Sequence, residues 1–201
     1  MNRRNFVKAA ASATAAATAA NALPAPAGAA TLETKIVRLN LQHTWTTTMS
    51  SSQYRDTLHT AFTCDGITGH GEGAPIVRYH EDAVSARKAA ESVRDVMLAA
   101  DPMQFTKVMA EIFRRVPGEW AGKAALDIAL MDWVGQKLGI PLYSYFGLDP
   151  RDAPLTTFSI GIDTPEITRQ KTKEAADFPV LSPSVYLYGA QRDQGAAELG
   201  A

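Results

Sequence analysis

Polar and apolar residues alternate along "KIVRLNLQ" from Lys35 to Gln42, with Val37, Leu39 and Leu41 on one face, and this repeat of two predicts a half-buried strand. A second strand is predicted over Tyr54 to Thr63. Asp65-Gly66 then turns the chain into "ITGHGEG", so these two runs read as a hairpin of the kind that Asp-Gly favours. Between the first two strands lies "HTWTTTMSSSQ", read as a loop of about a dozen residues, long enough for a compact domain to suggest a function of its own.

The period then lengthens. Residues 83 to 99 carry Ala83, Ala86, Ala90, Val93 and Met97 three and four apart, which predicts one amphipathic helix. Asp101-Pro102 opens a second, with Phe105, Val108, Met109, Ile112 and Phe113 on its stripe. The third, "GEWAGKAALDIALMDWVGQKLG", is apolar on nearly every side, which predicts a helix buried between two layers and stopped by Gly139-Ile140-Pro141. A sheet followed by helices is an α+β domain. From Leu155 the order changes: "LTTFSIGID" reads as a strand, Thr164-Pro165 starts a helix that runs through Ala176, and "FPVL" at 178 to 181 starts another strand. This β-α-β rhythm opens a parallel α/β architecture, but a closed eight-stranded (β/α) barrel takes about 250 residues.

Composition narrows the functional classes. The 201 residues are 46% hydrophobic and 20% charged, with 20 Lys and Arg against 21 Asp and Glu, which suits a globular chain and offers no basic stripe for nucleic acid. Cys64 is the single cysteine, so no internal disulfide and no CxxC zinc site can form, and a buried apolar role is expected for it. The first 29 residues carry Arg3, Arg4 and Lys8 ahead of a weakly apolar Ala/Thr run, no acidic residue before Glu33, and a closing Ala27-Gly28-Ala29. This reads as a signal peptide of the twin-arginine type, which implies export to the periplasm and no membrane attachment after cleavage.

The order of elements, the buried helix with its "IPLYSYFG" exit, "GHGEGAP" at 69 to 75, and "TTFSIGID" before Thr164-Pro165-Glu166 together resemble the enolase superfamily in its muconate-lactonizing, mandelate racemase branch. Within that branch the chain looks most like the dipeptide epimerases of the L-Ala-D/L-Glu type. The resemblance covers about Thr34 to Leu181. It implies an α+β lid with a three-stranded antiparallel sheet at 30 to 154, then the first one to two βα units of an incomplete TIM-type barrel at 155 to 201. It also implies a dipeptide substrate, an Mg²⁺ ion held by three carboxylates on later strands, and lysines on opposing faces that exchange the substrate α-proton. A homo-oligomer is compatible with it.

Two departures matter. Family members carry Lys-x-Lys on the second barrel strand, where this chain has Ser182-Pro183-Ser184-Val185-Tyr186-Leu187-Tyr188, and no lysine follows Lys173. The metal carboxylates and the opposing lysine would lie beyond Ala201. No catalytic residue and no metal ligand is therefore expected here, and the chain reads as a truncated, inactive dipeptide epimerase, with a noncatalytic exported binding module or a fragment of another muconate-cycloisomerase-type enzyme as the alternatives. Pro183 is also expected to sit badly in a central strand.

Three substrate-binding candidates come from the resemblance: Trp45 in the long loop, Tyr79 in the second lid loop, and Ser159 facing the barrel mouth. Packing, or satisfaction of a backbone group, is the alternative for each. His70-Gly71-Glu72 and His80-Glu81-Asp82 lack a third ligand at useful spacing, and Glu81-Asp82 are expected to favour the following helix N-terminus instead. Asp127 and Asp132 on the buried helix read as paired structural carboxylates.

Overall fold

The structure is a computed structural model that describes residues 30–154, 156–176 and 181–185. Residues 1 to 29, with the export signal, and Tyr186 and Tyr188 lie outside the described residues.

Three antiparallel strands, β1 (Thr31–Thr46), β2 (Ser51–Cys64) and β3 (Ile67–Gly73), form a sheet in that order. Asp65 and Gly66 take φ of 52° and 74°, the left-handed pair that a two-residue hairpin requires. The first two strands run further than their alternation predicts. Trp45 pairs with Ser52 and Thr46 with Ser51, beyond a break in register after Asn40, so the expected long loop shrinks to a turn over residues 47 to 50. Threonines read as loop formers are here β-branched strand residues. The turn closes through the Thr47 N–H on the Ser50 carbonyl at 2.8 Å.

The helical layer contains α1 (Ala83–Ser92), α2 (Arg94–Leu98), α3 (Phe105–Arg115) and α4 (Trp120–Leu138). The single helix predicted over 83 to 99 is two, broken at Val93, whose φ and ψ of −116° and 19° leave the helical region. Asp82 caps α1 in a reciprocal box with Ser85, as its position before the helix predicts. Its neighbour Glu81 caps a different helix. The Glu81 carboxylate accepts the N–H groups of Trp120 at 2.7 Å and Ala121 at 3.1 Å, satisfying α4, whose own N-cap Glu119 makes no side-chain cap.

The core joins Leu58, Phe62 and Cys64 of β2 to Ala86, Ala90, Val93, Met97, Ile112, Leu126, Leu130, Trp133 and Val134. The Trp133 indole N–H donates to the Cys64 carbonyl at 2.9 Å, and burial pushes the Cys64 thiol up from its ordinary pKa. Along β3, Gly69, Gly71 and Gly73 lie against the backbone of α4. A Cβ on Gly71 would sit 2.0 Å from the Ala125 carbonyl oxygen, and one on Gly73 1.9 Å from that of Ala121. Thr60 Oγ1 bridges the same junction, donating to the Ala125 carbonyl at 2.8 Å.

Helix α4 is not enclosed on every side. Trp120, Ile128 and Leu138 are exposed, and so is Asp127. Asp127 and Asp132 are not a pair, because five residues of helix turn them about 140° apart. Asp132 alone is structural, accepting the His70 N–H at 2.8 Å and the Gln136 side-chain amide at 3.0 Å.

Beyond the short helix α5 (Leu142–Tyr145), β4 (Thr156–Ile160), α6 (Pro165–Ala176) and β5 (Leu181–Val185) form one β-α-β unit with β4 and β5 parallel. Leu181, the last residue of "FPVL", lies in β5. Residues 178 to 180 are outside the described set, and Pro183 pairs within β5 opposite Phe158. In a strand with one described neighbour, proline's missing N–H need not interrupt a ladder on both sides.

Candidate functional site

The end of β1 and its turn close onto the C-terminal end of β4. The Ile162 N–H donates to the Thr46 carbonyl at 2.9 Å. Gly161 permits this approach, since a Cβ there would meet the Thr46 nitrogen at 2.9 Å, its oxygen at 3.1 Å and the Trp45 ring at 3.5 Å. An isolated glycine just past a strand signals close backbone contact, so "FSIGID" held the cue.

Two adjoining cavities open at this junction. The larger, about 410 Å³, runs between the β1–β2 turn, the segment Pro75–Arg78 and the end of β4. The smaller, about 350 Å³, lies between Leu41–Trp45 and α6 and includes Lys171. Trp45, Arg55, Ser159 and Gly161 line both. Two of the three expected residues, Trp45 and Ser159, are thus brought together. Tyr79 is not: it ends the 3-10 turn Val77–Tyr79 and is 54% exposed, while Val77 and Arg78 line the larger cavity. A 3-10 turn advances about 120° per residue, so its three side chains cannot share one direction.

Arg55 and Arg78 are the functional candidates that sequence reasoning missed. Nothing in the local pattern marks Arg55, because its role depends on β4, far along the chain. Around the smaller cavity the charges are paired. Lys171, nearly buried, donates to Asp163 at 3.0 Å, and this bond, with the Thr164 N–H, holds the Asp163 carboxyl below the usual carboxylate range. His43 Nε2 lies 2.7 Å from Glu174, joining β1 to α6.

The residues present do not fit a magnesium ion. No group of three or more His, Cys, Asp and Glu able to hold a metal occurs among the described residues, and no carboxylate lines either cavity. Asp82 and Glu81 are engaged in caps, and Glu72 approaches only His59, at 3.8 Å.

Comparison with known proteins places this architecture. The L-Ala-D/L-Glu epimerase of Bacteroides thetaiotaomicron is 36% identical over 138 residues, covering 69% of this chain and 36% of that protein. The L-Ala-D/L-amino acid epimerase of Pedosphaera parvula is 33% identical over 152 residues, 73% of this chain and 43% of its own length. The chain thus spans well under half the length of these relatives. The dipeptide epimerase of Methylococcus capsulatus, solved with Mg and the dipeptide L-Arg-D-Lys, superposes with a TM-score of 0.76 at 25% identity, covering 85% of this chain and 48% of that one. Residues 31–147 match the model of the mandelate racemase / muconate lactonizing enzyme N-terminal domain, and the chain belongs to that family.

Proposed function

We propose that this chain is the dipeptide-enclosing cap and first βα unit of an epimerase of the L-Ala-D/L-Glu type, and that the described residues bind the dipeptide without turning it over. The observation that carries this reading is the cavity where the β1–β2 turn meets the C-terminal end of β4, with Trp45 and Ser159 on its wall. Barrel enzymes place their chemistry at that end of their strands. Relatives are named as epimerases of L-Ala-D/L-Glu, of L-Ala-D/L-amino acids and of hydrophobic dipeptides, and about a third of the aligned residues are identical to the first two.

Epimerisation removes a proton from an α-carbon beside a carboxylate and returns one to the opposite face. The charge that develops needs a cation nearby, and in the family that cation is Mg²⁺. Since the described residues do not fit that ion, no proton-transfer step is assigned to them. Their part is to bind, orient and exclude water: the Trp45 ring and the apolar Met49, Ile76 and Val77 cover the ligand, and Ser159 offers a hydroxyl from below. Residues 1 to 29 are read as an export signal, which puts the folded cap in the periplasm. No helix among the described residues is long and apolar enough to cross a membrane.

Proton NMR of L-Ala-L-Glu in D₂O, with the full chain and Mg²⁺, tests both halves. Saturable broadening of the peptide signals with retention of the Glu α-proton is expected. Mg²⁺-dependent loss of that α-proton would show turnover and overturn the binding-only role. Absence of any broadening would remove the dipeptide reading itself.

A further inference from the structure

The cap and the βα unit are joined by side chains as well as by main chain. His43 of β1 reaches α6, where its Nε2 lies 2.7 Å from Oε2 of Glu174. The other oxygen of that carboxylate accepts from the Gln170 side-chain amide at 3.0 Å. Oε2 is itself buried and accepts from no other group among the described residues. A nitrogen lone pair and a carboxylate oxygen repel at such a distance. The contact therefore needs a proton between the two atoms, and it is strongest when the imidazole carries a charge.

Histidine is the side chain whose charge ordinarily changes between about pH 5 and 8. The charged groups that face this corner are Arg55 of β2, Lys171 and Glu174 of α6, and Asp163 just before α6; β4 brings Ser159 and Ile160, which carry none. Lys171 is matched by Asp163 at 3.0 Å. Glu174 is thus the carboxylate that meets the imidazole, while Arg55 opposes its charge from the wall of the same cavity. His43 lines the smaller cavity together with Trp45, and the next residue, Thr46, accepts the Ile162 N–H. We infer that His43 and Glu174 form a pH-responsive latch, in which protonation of His43 draws the Trp45 end of β1 onto α6 and holds the cap against the βα unit. The latch is fully closed in acid and slackens as the pH rises and His43 gives up its charge. It works in the empty protein, whatever the cavities hold.

The competing role for His43 is a fixed hydrogen bond from the neutral imidazole, which would hold the joint equally at every pH in this range. Hydrogen exchange of the full chain, followed by NMR, separates the two. The reporter is the Ile162 amide, bonded to Thr46 at 2.9 Å, with Leu130 in the buried helix α4 as the reference for global change. The protection factor of Ile162, corrected for the intrinsic pH dependence of exchange, is expected to rise about threefold from about pH 8 to about pH 5.5, the scale of a partly exposed ion pair, while that of Leu130 moves less. His43→Gln and Glu174→Gln should abolish the rise, and His43→Lys, charged throughout, should leave Ile162 protected at both pH values. In the wild type alone, the midpoint of the rise should coincide with the titration of the His43 ring signal and not with those of His59, His70 or His80, so the test survives a variant that does not fold. Equal protection of wild-type Ile162 at both pH values, a midpoint that does not follow His43, or a rise that persists in Glu174→Gln overturns the inference.

Discussion

Replacing Gly71 by alanine adds one methyl group at the point where β3 meets α4. The added Cβ would lie 2.0 Å from the Ala125 carbonyl oxygen, 2.7 Å from the Ala129 nitrogen and 3.0 Å from the Ala125 carbonyl carbon. All three are main-chain atoms of a helix, so no side chain can rotate away, and strand and helix must part by roughly 1 to 1.5 Å to restore van der Waals contact. Two costs follow. Overpacking of a close-fitted interior is worth about 1 to 3 kcal/mol. The separation also stretches the 2.8 Å bond from Thr60 to the Ala125 carbonyl, leaving buried polar groups short of partners at about 1 to 3 kcal/mol. Against these stands the stiffening of the unfolded chain by alanine, about 0.4 to 1 kcal/mol, too small to reverse the sign.

The expected net loss is therefore about 3 to 4 kcal/mol, a large part of the roughly 5 to 15 kcal/mol that holds a typical domain. Guanidinium unfolding followed by far-ultraviolet circular dichroism should show a lowered midpoint with an unchanged slope. Gly66→Asn is the control: that glycine has φ 74° and nothing within 4 Å of an added Cβ, and asparagine tolerates the left-handed region. Because the clash is with backbone, adding Ala125→Gly should not rescue the variant. A loss under about 1 kcal/mol for Gly71→Ala, or recovery in the double variant, would refute the account of a strand laid directly on helix main chain.

Glu81→Ala should cost about 1 to 3 kcal/mol by orphaning two N–H groups at the start of α4, with Glu81→Gln intermediate because it keeps an acceptor but not the charge; chemical denaturation reads both. Gly161→Ala should weaken dipeptide binding severalfold while leaving the unfolding midpoint close to wild type, because it wedges Thr46 away from Ile162 without touching the main core; calorimetry and denaturation on one sample check the split. Asp163 has its folded pKa depressed, so its contribution is present above the unfolded carboxyl value of about 3.9 and is lost as pH falls through the lower folded value. The stability difference between wild type and Asp163→Asn should thus be flat from about pH 7 to 5 and shrink below about 4 in urea melts across that range.

The parts of the fold that depend on neighbours in sequence were legible there. Asp65-Gly66 announced its turn, Asp82 its helix, and Thr164-Pro165 the start of α6. What failed was the reading of features completed from a distance. The threonines and serines around Trp45 looked like loop because their strand partners are one another across a register break. Glu81 looked like a cap for the helix next to it, and its partners Trp120 and Ala121 lie on another. The glycines of "GHGEG" carry no apolar pattern at all, and their value appears only when Ala121, Ala125 and Ala129 are laid against them. For the site, the resemblance supplied Trp45 and Ser159. Arg55 was invisible because its place on the wall shared by both cavities is made by β4, far along the chain.

The joint between cap and barrel strand is made of main chain: one amide, one carbonyl, and a residue with no side chain to obstruct them. Thr46 and Ile162 both line the larger cavity, and their side chains take no part in that bond. Exchange of either for a larger, smaller or charged group would redecorate the ligand chamber while its frame stays clamped. A lineage could in this way drift from one dipeptide preference to another in single steps, each intermediate still folded, with Gly161 the position along this seam least free to vary.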